Sequence, residues 1–269
     1  MPNALVFLTV EPNKYLIELA LEIVSDELAI FIAIDNSNYD SKTLPSNITP
    51  IQYDNAVCQS EGYIGSLLEV TLKNTFRPGS VDKALYHFCI KDLSYENIYL
   101  VEDDVFISDK NIFRNLDKNY KNADLLCPSN ISQEDDPKWY HWRLFNKMAK
   151  PWYHSLTCAC RLSKRLLAHI ATYAKINKRL SFHEFLFNTL AKNNNLTIQN
   201  PEEFKNIYWQ HKWDLSELVK GNLYHPLKAM QLHQTYRTHL DNIIIPASYK
   251  QKSKNTHGSF FRKICKINQ

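Results

Sequence analysis

Glycine is scarce: the 269 residues hold five, at 62, 65, 79, 221 and 258. That scarcity excludes the phosphate-cradling P-loop and the Gly-rich dinucleotide turn, which both need several glycines within a few residues so that backbone N–H groups can close on phosphate. No G-x-S-x-G nucleophile elbow occurs either. His183-Glu184 opens like a zinc-protease helix, but Phe187 stands where the second histidine belongs. Long apolar runs are missing too. No stretch of about 18 apolar residues appears, and MPNALVFLTVEPNK lacks the basic start and small-residue cleavage site of a secretory signal. The expectation is a cytoplasmic protein, at most peripheral at the inner face of a membrane.

Six cysteines, at 58, 89, 127, 158, 160 and 265, sit among apolar neighbours, which fits buried free thiols better than a disulfide framework. Cys158 and Cys160 in TCAC lack a second ligand pair, so their spacing alone makes no zinc site. Three sequons, at Asn47, Asn130 and Asn195, carry no meaning without a secretory route. A formal net charge of +4 is too small to point to nucleic acid. Its basic excess gathers at the end, where SYKQKSKNTHGSFFRKICKINQ holds no acid. Phe260, Phe261 and Ile264 beside Arg262, Lys263 and Lys266 suit either an anionic membrane surface or a solvated tail. One domain over residues 1–245 is therefore expected, followed by a basic, partly aromatic tail over 246–269.

What the chain does have is alternation. ALVFLTV (4–10), LAIFIAI (28–34) and TPIQY (49–53) read as strands, with a helix opening on Pro12 between the first two. Residues 61–76 and 80–92 have helical spacing, the second with Ser80 placed as an N-cap. NIYLVE follows as a strand, then a helix from Asp109 to about Tyr120, DLLCP as a strand, an aromatic excursion after Pro128, SLTCACRL as a strand, and helices over 163–176 and 181–192. FKNIYW (204–209) reads as a strand and GNLYHPLK (221–228) as a loop. Strands alternating with helices predict an α/β fold with a mainly parallel central sheet flanked by helices. In such sheets ligands sit at the carboxyl ends of strands, where Thr9, Asp35 and the acids Glu102, Asp103 and Asp104 fall.

Those three acids need compensation, because two carboxylates about 4 Å apart repel by roughly 4 kcal/mol at an effective dielectric near 20. Residues two apart on a strand face the same way, so Glu102 and Asp104 point together and suit Mg²⁺ or Mn²⁺. An acidic strand end paired with lysine or water is the plainer reading. Glu184 in SFHEF has two readings: a capping box with Ser181, or a general base. His225 in LYHPLK is presented from a loop ahead of Pro226 and gains interest only beside a metal.

Taken together, these residues resemble nucleotide-sugar-dependent glycosyltransferases of the GT-A fold, a Rossmann-like architecture. The likeness spans roughly residues 4–230 and rests on the alternating first half, RPGSVDKALYHF leading into a strand, YLVEDDVF as an E-x-D variant of that family's D-x-D motif, HE about 80 residues later, and YHP near the end. It implies Glu102, Asp104 and His225 as ligands of a divalent cation, Mn²⁺ or Mg²⁺, and Glu184 as the base of an inverting reaction. It further implies a nucleotide-sugar donor held by Thr9, Asp35, Lys73, Arg77, Lys83 and Asp103. The acceptor, a hydroxyl of a glycan or glycolipid, would meet Trp139, Trp152 and His183. Trp142, Tyr153 and Trp213 offer further apolar faces for sugar rings. Glu102 in place of the usual first Asp, and His183-Glu184 in place of the more usual Glu-Asp, are departures from the pattern. The other readings are a nucleotidyltransferase-like enzyme using the same acids, and a catalytically inactive nucleotide- or carbohydrate-binding relative.

Overall fold

The computed structural model describes residues 2–65, 77–144 and 148–242. The helix expected over 61–76, with Lys73, and the tail expected from 246, with Cys265, fall largely or wholly outside these residues. In chain order the elements are β1 (Asn3–Thr9), α1 (Lys14–Ile23), β2 (Leu28–Ile34), β3 (Ile48–Ile51), α2 (Asn55–Ser60), α3 (Ser80–Tyr86), β4 (Asn97–Glu102), β5 (Phe106–Ile107), α4 (Ile112–Asn119), β6 (Leu125–Leu126), β7 (Ile131–Ser132), β8 (Tyr153–His154), β9 (Ala159–Ser163), α5 (Lys164–Asn177), α6 (His183–Asn193), β10 (Ile198–Gln199), β11 (Asn206–Ile207), β12 (Leu223–His225) and α7 (His233–Asn242).

Seven strands form the central sheet in the order β10-β6-β9-β4-β1-β2-β3. All neighbouring pairs are parallel except the two made by β9, which runs antiparallel to β4 and β6. Strand parity explains why the interiors of β1, β2 and β4 are apolar. Ala4, Val6 and Leu8 join Phe31, Ala33, Ile98 and Leu100 in a core with residues of α3, α5 and α6. Leu5 and Phe7 join Ile30, Ile32, Tyr99 and Val101 in a second core with α1 and α4. Successive side chains face opposite sides of the sheet, and both sides are covered, so the middle of each strand is apolar on both faces.

Local sequence sets most boundaries. Asn13, one residue beyond Pro12, caps α1 by accepting from the N–H groups of Tyr15 and Leu16. Gly79, rather than Ser80, stands at the N-cap of α3. Ser163 caps α5 through Leu166 N (3.2 Å) and is itself held by Asp124 (2.8 Å). The segment expected as a strand over 204–209 narrows to β11, because Glu202–Phe204 takes a 3₁₀ turn first. LYHPLK, expected as a loop, holds β12, which pairs parallel with β11 and antiparallel with β5 in a second, three-stranded sheet. The five described cysteines are buried and free. No described helix is long and apolar enough to cross a membrane.

A fully buried arginine fixes the reversed strand to α4. Arg161 of β9 donates to Asp117 Oδ1 (3.0 Å) and to the carbonyls of Tyr120 (2.6 Å) and Ala123 (3.0 Å), while Tyr99 OH donates to the same carboxylate oxygen (2.7 Å). Removing the guanidinium leaves the carbonyl of Ala123 without its donor in the interior and takes the cationic partner from Asp117. Arg161→Ala is expected to cost about 3 kcal/mol or more in a urea denaturation midpoint analysis. A loss under about 1 kcal/mol would show that water replaces the side chain without penalty.

Candidate active site

Sheet order reverses between β1 and β4: β2 and β3 lie to one side of β1, and β4 to the other. A crevice opens at the carboxyl ends of two such strands, because their following segments leave in opposite directions. Thr9 ends β1 and Glu102 ends β4, so the acids occupy this switch point. The chain continues the sheet for one more residue, with Asp103 N donating to Leu8 O (3.1 Å). Asp103 then turns toward β1, where Thr9 Oγ1 donates to its Oδ2 at 2.5 Å. Glu102 and Asp104 both turn to His225, whose Nε2 lies 3.6 Å and 3.2 Å from their carboxylate oxygens.

The small sheet delivers that histidine. β5 begins two residues after Asp104, and its register with β12 sets Tyr224 opposite Phe106 and Leu223 opposite Ile107. Continuing one step places His225 across from Val105, beside the acidic turn. Leu227 N donates to Asp104 O (2.8 Å), which fastens the segment after β12 to the same turn. His225 is therefore the end of a buried strand, not a loop residue. Its Nδ1 donates to Tyr208 O at 2.6 Å, a carbonyl that can only accept. With that nitrogen committed, Nε2 is the one that faces the carboxylates, and a neutral imidazole offers its lone pair there.

Two more groups complete the cluster. Glu102 N donates to Cys158 O (2.8 Å), extending the β4–β9 register beyond the pair Val101 and Ala159. An oxygen of Glu102, the Cys158 Sγ and a ring nitrogen of His225 lie within 4.8 Å of one another. Glu184 is 6% exposed in the first turn of α6. The capping box with Ser181 does not form, because Phe182 stands at the N-cap and Glu184 is one position too early to close it. Ser155 N donates to Glu184 O (3.0 Å) and ties this turn to the segment leading to Cys158.

Electrostatics divide the four carboxyls. Burial raises the Glu102 pKa and Asp104 adds to the rise, with His225 opposing. Burial also raises that of Asp103 against the hydrogen bond from Thr9. Burial pushes Asp104 upward as well, yet the hydrogen bond and charge of His225 win and hold it below the usual range. Burial alone would lower His225, but its bond with Asp104 leaves it raised. Glu184 is raised to about 8, through burial and then the charge of Glu102. Among the described residues no lysine or arginine forms an ion pair with Glu102, Asp103 or Asp104. Two carboxylates and an imidazole converge with only the charge of Lys228 acting on Asp104 from a distance, and that donor set fits a divalent cation.

Three more of the expected residues, Asp35, Arg77 and Lys83, meet at the carboxyl end of β2. Asp35, at the end of β2, is buried and paired with Arg77, while Lys83 Nζ lies 4.0 Å from it. Lys83 is fully buried and donates to the carbonyls of Ile34 (3.2 Å) and Asp35 (2.7 Å), so its ammonium secures the end of β2. Trp139 stacks on His154 at 4.2 Å between ring centroids. Trp152 donates to Met148 O (2.9 Å), and His183 packs edge-on to Phe182, directly before Glu184. Trp142 is core, against Phe185. Trp213 donates to His225 O (3.3 Å) and supports the strand. Tyr153 exchanges hydrogen bonds with Thr189 of α6, which joins β8 to that helix. Cys158 escaped the sequence reading because its partners come from β4 and β12; only strand register could have found it.

A buried carboxyl with a raised pKa has a defined linkage sign. The folded state holds the Glu184 proton from its ordinary 4.5 up to about 8, so stability falls as pH rises through that window. The penalty above it reaches at most about 5 kcal/mol. Glu184→Gln, in EDTA, is expected to melt higher than the parent chain at about pH 8.5 and close to it near pH 4.5. A constant difference across that range would mean that Glu184 titrates normally.

No protein-family model and no curated protein matches this sequence. Among solved structures, the galactosyltransferase LgtC in complex with donor and acceptor sugar analogs is 10% identical, with a TM-score of 0.48 over 91% of this chain and 98% of that one. A 4-diphosphocytidyl-2C-methyl-D-erythritol synthase from Anaerococcus prevotii is 11% identical, with a TM-score of 0.44 over 90% and 96%. Mouse xyloside xylosyltransferase 1 is 12% identical, with a TM-score of 0.38 over 74% and 84%. Likenesses this distant decide neither substrate nor mechanism.

Proposed function

We propose that the chain is a metal-dependent glycosyltransferase of the GT-A type, moving a sugar from a nucleotide-diphosphate donor to a hydroxyl of a glycan or lipid-linked acceptor with inversion at the anomeric carbon. One observation carries the reading: Glu102, Asp104 and His225 converge at the sheet's switch point, with the buried carboxyl of Glu184, raised to about 8, within electrostatic reach of Glu102 and His225. That combines a proton acceptor tuned close to neutrality with a site for a cation that accompanies phosphate.

Glu102, Asp104 and His225 would hold Mn²⁺ or Mg²⁺. When bound, the ion offsets charge on a leaving diphosphate. Thr9 keeps Asp103 turned toward β1 and away from the ligand pair, which leaves Asp103 for the donor. Asp35 and Arg77, one strand further, stand where a ribose or base would extend. Glu184 takes the proton of the acceptor hydroxyl on its carboxylate as the oxygen attacks. A single carboxylate in that role gives one displacement and hence inversion. Trp139 and Trp152 pack near the start of α6 against Phe182 and Phe185, and with His183 they would offer apolar surface for an acceptor sugar.

Thermal shifts with UDP, GDP, CMP and dTDP sugars, each with and without Mn²⁺, test the site. One nucleotide class is expected to stabilise the chain only with metal, and Asp104→Asn to abolish that shift. Glu184→Gln is expected to keep the shift and lose transfer by about 10²- to 10⁴-fold. In the parent chain, transfer rises with pH as Glu184 ionises, with a midpoint at or below about 8. Full transfer by Glu184→Gln would remove it from the reaction. Turnover of nucleoside triphosphates without hydrolysis of any sugar nucleotide would move the acids to a nucleotidyltransferase.

A further inference from the structure

The cation site just described is not built from oxygen alone. Cys158 precedes β9 and lies opposite Glu102 across the antiparallel ladder with β4, where facing residues project to the same side. Its thiol is buried and close enough to Glu102 and His225 for all three ligand atoms to fall within 4.8 Å of one another. Cys160, two residues on, packs instead into the core between the sheet and α3, α5 and α6. Along the chain, Cys158 and Cys160 have no second ligand pair. The fold supplies partners for Cys158 from two other strands.

Ligand chemistry gives this arrangement a consequence. Mg²⁺ favours oxygen in near-octahedral geometry and gains nothing from sulfur. Zn²⁺ and Co²⁺ accept a thiolate, an imidazole and a carboxylate together, and bind such mixed sets tightly. We infer that Cys158 is a ligand of the site's ion, beside Glu102 and His225, and that the site therefore selects a thiophilic transition metal over Mg²⁺. This rests on the metal site proposed above. On binding, the thiol releases its proton to solvent and the sulfur donates its electron pair to the ion.

Cobalt distinguishes the ligands by colour. The full-length chain, stripped with EDTA and kept under reductant, is titrated with Co²⁺ and followed from the near ultraviolet to the red. The expected spectrum has visible d–d bands together with a near-ultraviolet sulfur-to-cobalt charge-transfer band. Cys158→Ser loses that band and binds Co²⁺ at least about tenfold more weakly, whereas Cys160→Ser and Cys265→Ser retain it. Circular dichroism verifies each fold, and Cys158→Ala serves where serine disturbs the interior. Mg²⁺ at about a hundredfold excess is expected to leave the bound cobalt in place. Visible bands without the charge-transfer band would overturn the role of Cys158 and leave the metal site standing, as would displacement by Mg²⁺ at comparable concentration. No cobalt bands at all would bring down both.

Discussion

Three acidic side chains at the mouth of a buried parallel strand govern how this end of the molecule is arranged. Each is partly withdrawn from water, and without a partner the group would repel itself apart or hold protons far into the neutral range. The chain answers with two separate devices. Thr9 engages Asp103 from the neighbouring strand, and His225 arrives from a second sheet to meet Glu102 and Asp104. Neither brings a permanent charge, so the balance remains open to a cation in a way that a lysine or arginine would have closed.

Permanent cations are used elsewhere, for architecture. Arg161 gathers one carboxylate and two carbonyls beneath α4, and Lys83 gathers two carbonyls at the end of β2. Both are fully buried, and both donate to backbone carbonyls at strand ends and turns. Such groups tie irregular strand ends to the sheet that carries them. The residues of the crevice thereby start from fixed positions, which matters because a misplaced ligand or base loses much of its effect.

Much of this was legible in the chain. The apolar runs of β1, β2 and β4 announce strands covered on both faces, and the alternation of strand and helix gives a largely parallel sheet. Parity along Glu102, Asp103 and Asp104 anticipates that the outer two turn one way and the middle one the other. What stayed hidden depends on pairing between distant segments. The reversed direction of β9, the strand character of LYHPLK and the approach of Cys158 follow from register, which local pattern does not encode. Glu184 was ambiguous for a different reason: Ser181 and Glu184 have the spacing of a capping box, and only the position of Phe182 at the helix entry decides against it.

The pairing of β5 with β12 joins segments far apart in the chain; Ser108 and Asn222, 114 residues apart, share hydrogen bonds beside it. Contacts of such long range form late, since a large loop must close before they can be made. During synthesis the acids therefore emerge well before the histidine that faces them. A ribosome-bound chain halted near residue 200 would carry a nearly finished sheet with an anionic, unfinished rim, and the imidazole that meets those acids would arrive only with the last strand.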